Sequence, residues 1–278
     1  MVVVEVEESL VERYQRDGAV LVPGVFSDAW LDKVRRGIAR NLAHPSQYSE
    51  KLTGSDGGGA YFNDYCNWGW IEEFKEFVFH SPAAALAARF MRSSQVSFYH
   101  EHVLNKEPGS SKRTPWHHDQ SYYPIDGDQV CSLWMPVDPV PRDACVQFVA
   151  GSHLWPRWFI PRKFATEHNY PLKDAREAED SGERQYYDVP VEEIEAGKWP
   201  ILQWECKPGD VVVFHMRTLH GASGNPSAST HRRVLSTRWL GDDAVLATRP
   251  WQVSPPVTGG LLPGQRAVCD TFPRVTFT

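Results

Sequence analysis

The fold class is decided by residues 207–240, KPGDVVVFHMRTLHGASGNPSASTHRRVLSTRWL. A Pro-Gly-Asp turn leads into a run of three valines, and a turn-rich segment then leads into a second run of β-branched and aromatic residues. From about residue 95 onward the chain has further short segments of this kind, separated by turn residues: QVSFYHEHVL, QVCSLWMPV and CVQFVAGSH. This pattern is typical of an antiparallel β sandwich or barrel.

The first third of the chain has a different character. Helical spacing of Val11 and Tyr14 predicts one helix, and Ser27 is placed to cap a second helix. The segment between these helices, AVLVPGVF, predicts a short strand. Residues 54–70, GSDGGGAYFNDYCNWGW, predict a flexible loop with aromatic anchors, and Pro82 opens a short helix with the sequence AAALAARFM.

We predict a single domain over residues 1–278, with a helical N-terminal part at about 1–94 and a β core at about 95–245. Residues 154–200 interrupt the core with many charges, prolines and aromatic side chains. Long insertions are often active-site lids, but a surface segment packed against the helices is an equal alternative.

Composition excludes several classes of function. The chain has 29 Lys and Arg against 35 Asp and Glu, a net charge of −6, without a basic block, so nucleic acid is not an expected partner. Five scattered cysteines without a CxxC pair favour a reducing compartment. No segment has the pattern of a signal peptide or a bilayer span. We therefore expect a cytoplasmic protein without a membrane partner.

The segment TPWHHDQSYYP, residues 114–124, contains the first candidate for chemistry. In an extended strand, His117 and Asp119 project to the same side, whereas His118 points away. An imidazole and a carboxylate together can hold a metal ion. One H-x-D is expected by chance in a chain with 11 histidines, so the pattern needs a third ligand.

That third ligand is expected from the valine-rich strand, which ends near His215 and His220. Two histidines and one carboxylate on one face of an octahedral iron leave the opposite face open to other ligands. A structural zinc site would normally use four protein ligands, often cysteines. Alternation along the last strand places Arg232, Val234, Ser236 and Arg238 on one side, so Arg232 can grip a carboxylate in the same cavity.

The ordered set of H-x-D, P-G-D with its valine strand, H-G and R-R resembles the phytanoyl-CoA dioxygenase family of iron(II) and 2-oxoglutarate oxygenases. The segments YQRDGAVLVPGVFSDAWLDKVRRGI, HVLNKEPGSSKRTPWHHDQSYYP and CVQFVAGSH are similar to that family as well. The resemblance implies a mainly β fold with N-terminal helices, a double-stranded β-helix of the cupin-like jelly-roll type. It also implies that the chain uses Fe(II), 2-oxoglutarate and O2 and releases succinate and CO2.

By the same resemblance, His117, Asp119 and His220 bind the metal, and Arg232 binds the distal carboxylate of 2-oxoglutarate. Trp134 and His102 would line the cosubstrate pocket. The serine that some members carry two residues after the distal histidine is alanine at position 222, and Ser223 could replace its hydrogen bond. Related halogenases lack the carboxylate, so its presence here implies hydroxylation of a C–H bond.

Three alternatives stay open: a cupin-type metal enzyme without 2-oxoglutarate, a zinc hydrolase with the same ligands, and a non-catalytic jelly-roll binding protein. The small-molecule substrate and the oligomeric state are not predicted. Arg238, Tyr122 and Tyr123 are candidates to face the substrate, and packing at the rim of the cavity is an equal alternative for the two tyrosines. The other histidines singled out, at positions 100, 118, 153 and 215, are expected to have structural roles.

Overall fold

Two antiparallel sheets dominate the computed structural model, which describes residues 6–173 and 185–277. In chain order the strands are β1 (Ala19–Val22), β2 (Glu50–Leu52), β3 (Tyr61–Tyr65), β4 (Val96–Lys106), β5 (Thr114–His117), β6 (Ile125–Asp126), β7 (Val130–Pro136), β8 (Val146–Val149), β9 (Trp158–Phe159), β10 (Tyr186–Tyr187), β11 (Ile201–Leu202), β12 (Val211–His215), β13 (His220–Ala222), β14 (Arg232–Leu240), β15 (Val245–Leu246) and β16 (Arg274–Val275). The described helices are α1 (Glu8–Asp17), α2 (Asp28–Ala43), α3 (Glu72–His80), α4 (Ala83–Met91) and α5 (Val191–Glu195).

The larger sheet has eight strands in the order β1-β12-β7-β14-β4-β3-β2, and β16 pairs with β4. The smaller sheet has four strands in the order β11-β8-β13-β5. Two short pairs, β9 with β10 and β6 with β15, complete the described strands. The predicted jelly-roll class, mainly β with N-terminal helices, is confirmed.

Two hydrophobic layers hold these elements together. On the outer face of the larger sheet, helices α1 to α4 bury an apolar stripe that in α2 consists of Leu31, Val34 and Ile38. Between the two sheets, Trp134 and Phe214 of the larger sheet pack in one cluster with Phe148 of the smaller one. The alternating side chains of the central strands therefore serve the helices on one side and the inter-sheet space on the other.

The predicted strands of the β core are present, but the N-terminal part is less helical than expected. The stretch at 54–70, predicted as a loop, contains β3, which pairs with β4 over five residues. The tyrosines and the phenylalanine of β3 favour strands, and Tyr61 and Phe62 are both buried. The glycines before them indicated a loop, but they do not determine the structure of the residues that follow. Ser27 precedes α2 but makes no side-chain capping hydrogen bond.

The predicted insertion at 154–200 contains β9, β10 and α5, and its residues 174–184 lie outside the described part of the chain. The valine strand β12 ends at His215, and a short connection carries the chain across to the smaller sheet, where β13 begins at His220. In the described residues, no helix has the length and apolar character needed to span a bilayer.

Candidate active site

The three predicted ligands meet where β5 ends and β13 begins. His117 and His220 are direct partners in the pairing of these strands, and their ring centroids are 4.2 Å apart. Asp119 follows in a 3-10 turn rather than in the strand, but His118 between them keeps an extended backbone. The i, i+2 relation therefore survives. Asp119 Oδ1 lies 3.6 Å from His117 Nε2 and 3.7 Å from His220 Nε2.

The orientation of both imidazoles is determined by backbone hydrogen bonds. His117 Nδ1 donates to the carbonyl of Pro115 at 2.7 Å, and His220 Nδ1 donates to the carbonyl of Thr218 at 2.9 Å. Since a carbonyl only accepts, the Nε2 lone pairs face the carboxylate. Burial and the neighbouring His117 lower the pKa of His220 to about 3, so its ring is neutral, as a metal ligand must be.

The carboxylate of Asp119 is held from behind. Its Oδ2 accepts a 2.7 Å hydrogen bond from Ser132, and Arg238 Nη2 lies 3.2 Å from the same oxygen. Burial alone would raise the pKa of Asp119, but the neighbouring charge of Arg238 holds it well below its ordinary value. The carboxylate is therefore ionised and aimed at the imidazoles.

The donor set fits one divalent cation. The three donor atoms lie within 4.8 Å of one another, and the three side chains are buried. Two imidazoles and one carboxylate on one side of a cavity match the facial arrangement of non-haem iron(II), which leaves other positions open. Within residues 6–173 and 185–277, no second group of three or more histidine, cysteine or acidic ligands meets the same criterion.

A cavity of about 570 Å³ lies beside this donor set and is lined by all three donors. The alternation predicted for β14 is present. Arg232, Ser236 and Arg238 line the cavity, whereas Leu235 and Trp239 pack into the core on the helix side. One strand thus contributes polar side chains along much of the cavity floor.

Arg232 lies at the start of β14 and is almost entirely buried. Its Nη1 donates to the carbonyl of Ala144 at 2.5 Å, and the side chain lines the cavity. Trp134 and His102 also line the cavity, and both are direct partners of Ser236 in the pairing of the larger sheet. The three residues predicted for the cosubstrate therefore lie on one face of the larger sheet, and they line the same cavity as the candidate metal ligands at the edge of the smaller sheet.

Two residues near Arg232 have other tasks. Arg233 points to the opposite face and forms a two-point ion pair with Asp138, with its shortest contact at 2.6 Å. Ala222 lines the cavity, whereas the hydroxyl of Ser223 donates to the carbonyl of Asp143 at 2.8 Å. The Ser223 hydroxyl is therefore already hydrogen-bonded. The structure does not support the prediction that Ser223 replaces the hydrogen bond of the serine that is alanine at position 222.

The three residues without an assigned role, Arg238, Tyr122 and Tyr123, all line the cavity. Arg238 Nε donates to the Tyr123 hydroxyl at 3.1 Å, so these two side chains form one network with the Asp119 carboxylate. The Tyr122 hydroxyl donates to the carbonyl of Arg162 at 2.5 Å and accepts from its amide at 2.9 Å. Tyr122 therefore anchors the insertion to the site.

The four histidines that the sequence predicted to have structural roles all contact backbone groups. His118 accepts a hydrogen bond from a backbone amide at 3.3 Å, and His153 and His215 contact backbone carbonyls at 3.1 and 2.9 Å. His100 differs, because it lines the cavity. Its Nδ1 donates to the carbonyl of Glu101, and its Nε2 is a buried acceptor without a partner among the described residues.

Sequence reasoning missed much of the cavity wall. Phe164 and Tyr170 of the insertion line it, as do residues 252–256 and Tyr48. The Phe164 ring lies 5.1 Å from that of His117, so the insertion reaches the donor set. The aromatic content of the insertion was a usable signal. Nothing in the proline-containing C-terminal segment marked it as part of a site.

Comparison with known proteins gives the same picture. Residues 14–234 match the family model described as phytanoyl-CoA dioxygenase. Among curated proteins, the ectoine dioxygenase of Stutzerimonas stutzeri (strain A1501) is 25% identical over 250 residues, covering 86% of this chain and 78% of the relative.

Solved structures share the fold over almost the whole chain. The non-heme alpha-ketoglutarate-dependent carbocyclase SnoK from nogalamycin biosynthesis superimposes with a TM-score of 0.72 at 24% identity, over 98% of this chain and 97% of the other. The epimerase SnoN, solved with Fe3+, alpha-ketoglutarate and nogalamycin RO, gives a TM-score of 0.72 at 24% identity, over 96% and 97%.

Proposed function

Because this chain belongs to the phytanoyl-CoA dioxygenase family and is an iron(II)- and 2-oxoglutarate-dependent dioxygenase, we propose that it hydroxylates a C–H bond of a ring-containing small molecule. The observation that carries this proposal is the convergence of His117, Asp119 and His220 in a cavity that Arg232 also lines. These three residues would hold the iron. With 2-oxoglutarate and O2, a bound iron would supply the chemistry that oxidises an unactivated C–H bond, with release of succinate and CO2.

The protein's own share is binding and orientation. Arg232 would receive the distal carboxylate of 2-oxoglutarate, because its guanidinium is buried, lines the cavity and forms no ion pair with a described carboxylate. Trp134 and His102 would flank the cosubstrate along the same sheet face. Phe164 covers the donor set from the insertion and would help to exclude water. The aspartate ligand supports hydroxylation, since related halogenases lack it.

The cavity walls support a ring-shaped substrate without a strong negative charge. Tyr48 and Tyr65 stack with centroids 5.0 Å apart and planes 12° apart, and Phe164 adds another flat surface. Arg238, the cation nearest to the donor set, is already engaged by Asp119. The unpartnered Nε2 of His100 would accept a hydrogen bond from a hydroxyl or amine of the substrate. The curated relatives are named for ectoine, which supports a small substrate.

The setting we propose is the cytoplasm. All five cysteines are free thiols, including buried Cys145 and Cys206, whose sulfur atoms are 3.7 Å apart. A reducing compartment keeps such a neighbouring pair in the thiol form.

Formation of succinate from 2-oxoglutarate without added substrate tests this function. We expect wild-type protein with iron(II) to form succinate, and Arg232→Ala to lose at least about a hundredfold in kcat/KM, because two charge-assisted hydrogen bonds are removed. Arg233→Ala is the matched control: it removes the adjacent arginine, which faces away from the cavity, and should keep wild-type kinetics. Equal turnover in all three proteins would contradict the cosubstrate site.

Two further readouts separate the alternatives. Failure of the wild-type protein to bind iron(II) or 2-oxoglutarate by anaerobic calorimetry would favour a non-catalytic protein, and activity with zinc but not iron would favour a hydrolase. Once a substrate turns over, a product mass increased by one oxygen atom is expected. A product with the same mass as the substrate, or with two hydrogen atoms fewer, would contradict hydroxylation.

A further inference from the structure

Lys106 is a buried cation next to Arg232. The two residues are direct partners in the pairing of β4 with β14, and Tyr61 is the partner of Lys106 on its other side. Direct partners project to the same face of a sheet. Arg232 and Tyr61 both line the cavity, so Lys106 stands between two cavity-lining side chains. Its Nζ lies 4.7 Å from the centre of the Tyr61 ring.

The two cations share one backbone acceptor. Lys106 Nζ donates to the carbonyl of Ser223 at 2.7 Å, and Arg232 Nη1 lies 3.5 Å from the same oxygen. Lys106 is 0% exposed and Arg232 5%. Burial, and then the charge of Arg232, hold the pKa of Lys106 well below its ordinary value.

Neither cation has a carboxylate partner within the part of the chain that the structure describes. The ionisable groups that favour the charge of Arg232 are a phenol and a thiol, those of Tyr61 and Cys145. A buried charge without a counterion is costly, and two such charges side by side repel each other. An arrangement of this kind is stabilised when an anion binds to it.

We propose that Lys106 and Arg232 together form the subsite for the distal carboxylate of 2-oxoglutarate, with Lys106 as a positioning residue. This inference rests on the proposed function. Arg232 contacts the carboxylate, and Lys106 adds the second positive charge and holds the Ser223 carbonyl beside Arg232. The bound carboxylate then supplies the negative charge that the pair lacks. Selection of a dicarboxylic 2-oxo acid over a monocarboxylic one therefore depends on Lys106.

The test compares 2-oxoglutarate with 2-oxopentanoate, in which a methyl group replaces the distal carboxylate. Binding of each acid to the iron(II) protein is followed anaerobically by the visible charge-transfer absorption, without turnover. Lys106→Met removes the charge and keeps the stem, and Lys106→Gln also keeps a donor for the Ser223 carbonyl. Lys207→Met, at an exposed position, controls for the change in net charge.

We expect both Lys106 variants to raise the Kd of 2-oxoglutarate at least about tenfold. The Kd of 2-oxopentanoate should change less than about twofold, because that acid carries no distal charge. Equal weakening of both acids would show a merely structural role, and unchanged 2-oxoglutarate affinity would exclude any role; either result overturns the proposal for Lys106. If wild-type protein bound iron(II) but no 2-oxoglutarate, the proposed function itself would fail.

Discussion

Replacing Arg238 by methionine should lower the free energy of unfolding of the metal-free protein far more than that of the iron-loaded protein. Arg238 is almost fully buried and lies 3.2 Å from Asp119, whose side chain is 3% exposed. Methionine has a similar length and fills much of the same space, so the change mainly removes charge. The groups that remain beside the Asp119 carboxylate are the hydroxyl of Ser132 and the imidazoles of His117 and His220.

The magnitude follows from the burial of the pair. Breaking a buried ion pair by removing one partner costs about 3–5 kcal/mol, because the other charge is left without compensation. An iron(II) ion bound to Asp119 supplies positive charge that Arg238 no longer provides. We therefore expect the loss of stability to fall below about half of this value when iron is bound. By linkage, the variant should gain more stability from iron than the wild type does.

Urea unfolding of the metal-free proteins and thermal melts with and without anaerobic iron(II) measure these effects. The matched control is Arg233→Met, which breaks the ion pair with Asp138 in the same strand but outside the cavity. That pair is partly exposed, so its loss should cost about 1 kcal/mol, equally with and without iron. If Arg238→Met lost the same stability in both forms, the coupling between Arg238 and the metal site would be refuted.

Further predictions concern three other positions. Burial raises the pKa of Glu101 to about 8, so this group stabilises the fold below the ordinary carboxyl pKa and loses that contribution as pH rises toward 8. In urea titrations, Glu101→Gln should therefore reduce the decline in the free energy of unfolding between pH 6.5 and 8. An unchanged slope would contradict this assignment. Ala222→Ser should lower the KM for 2-oxoglutarate several-fold, because Ala222 lines the cavity while Ser223 is committed elsewhere; an unchanged KM would place the cosubstrate away from β13. Tyr122→Phe removes the anchor on Arg162 and should speed hydrogen exchange in residues 158–170, whereas unchanged protection would show that packing alone holds the insertion.

The β core was predictable because its signals are local. The alternation of Arg232, Ser236 and Arg238 follows from the period of a strand, and the structure places all three on the cavity side. The i, i+2 relation of His117 and Asp119 also held, even though the strand ends between them. The division of the chain into a single domain stays a prediction. The pairing of β1 with β12 supports it, since the N-terminal part joins the main sheet.

The features of the site that were not predicted depend on contacts between residues far apart in the sequence, which a local pattern does not indicate. The sequence does not distinguish Lys106 from an exposed lysine at the end of a strand. The pairing of β4 with β14 places it beside Arg232. Nothing in the sequence around Glu101 predicts its burial under the loop that includes Asn67. The backbone N–H of Asn67 donates to the Glu101 carboxylate at 2.6 Å. The C-terminal segment reaches the cavity through Ser254, whose hydroxyl lies 2.8 Å from that of Tyr65, a contact across most of the chain.

Anaerobic crystals grown with iron(II) and 2-oxoglutarate test the central claim most directly, through anomalous diffraction at the iron edge. We predict one anomalous peak within coordination distance of His117 Nε2, His220 Nε2 and an oxygen of Asp119. The 2-oxoglutarate should extend from that peak to Arg232. A peak at other side chains, or 2-oxoglutarate bound with its distal carboxylate away from Arg232, would contradict the account.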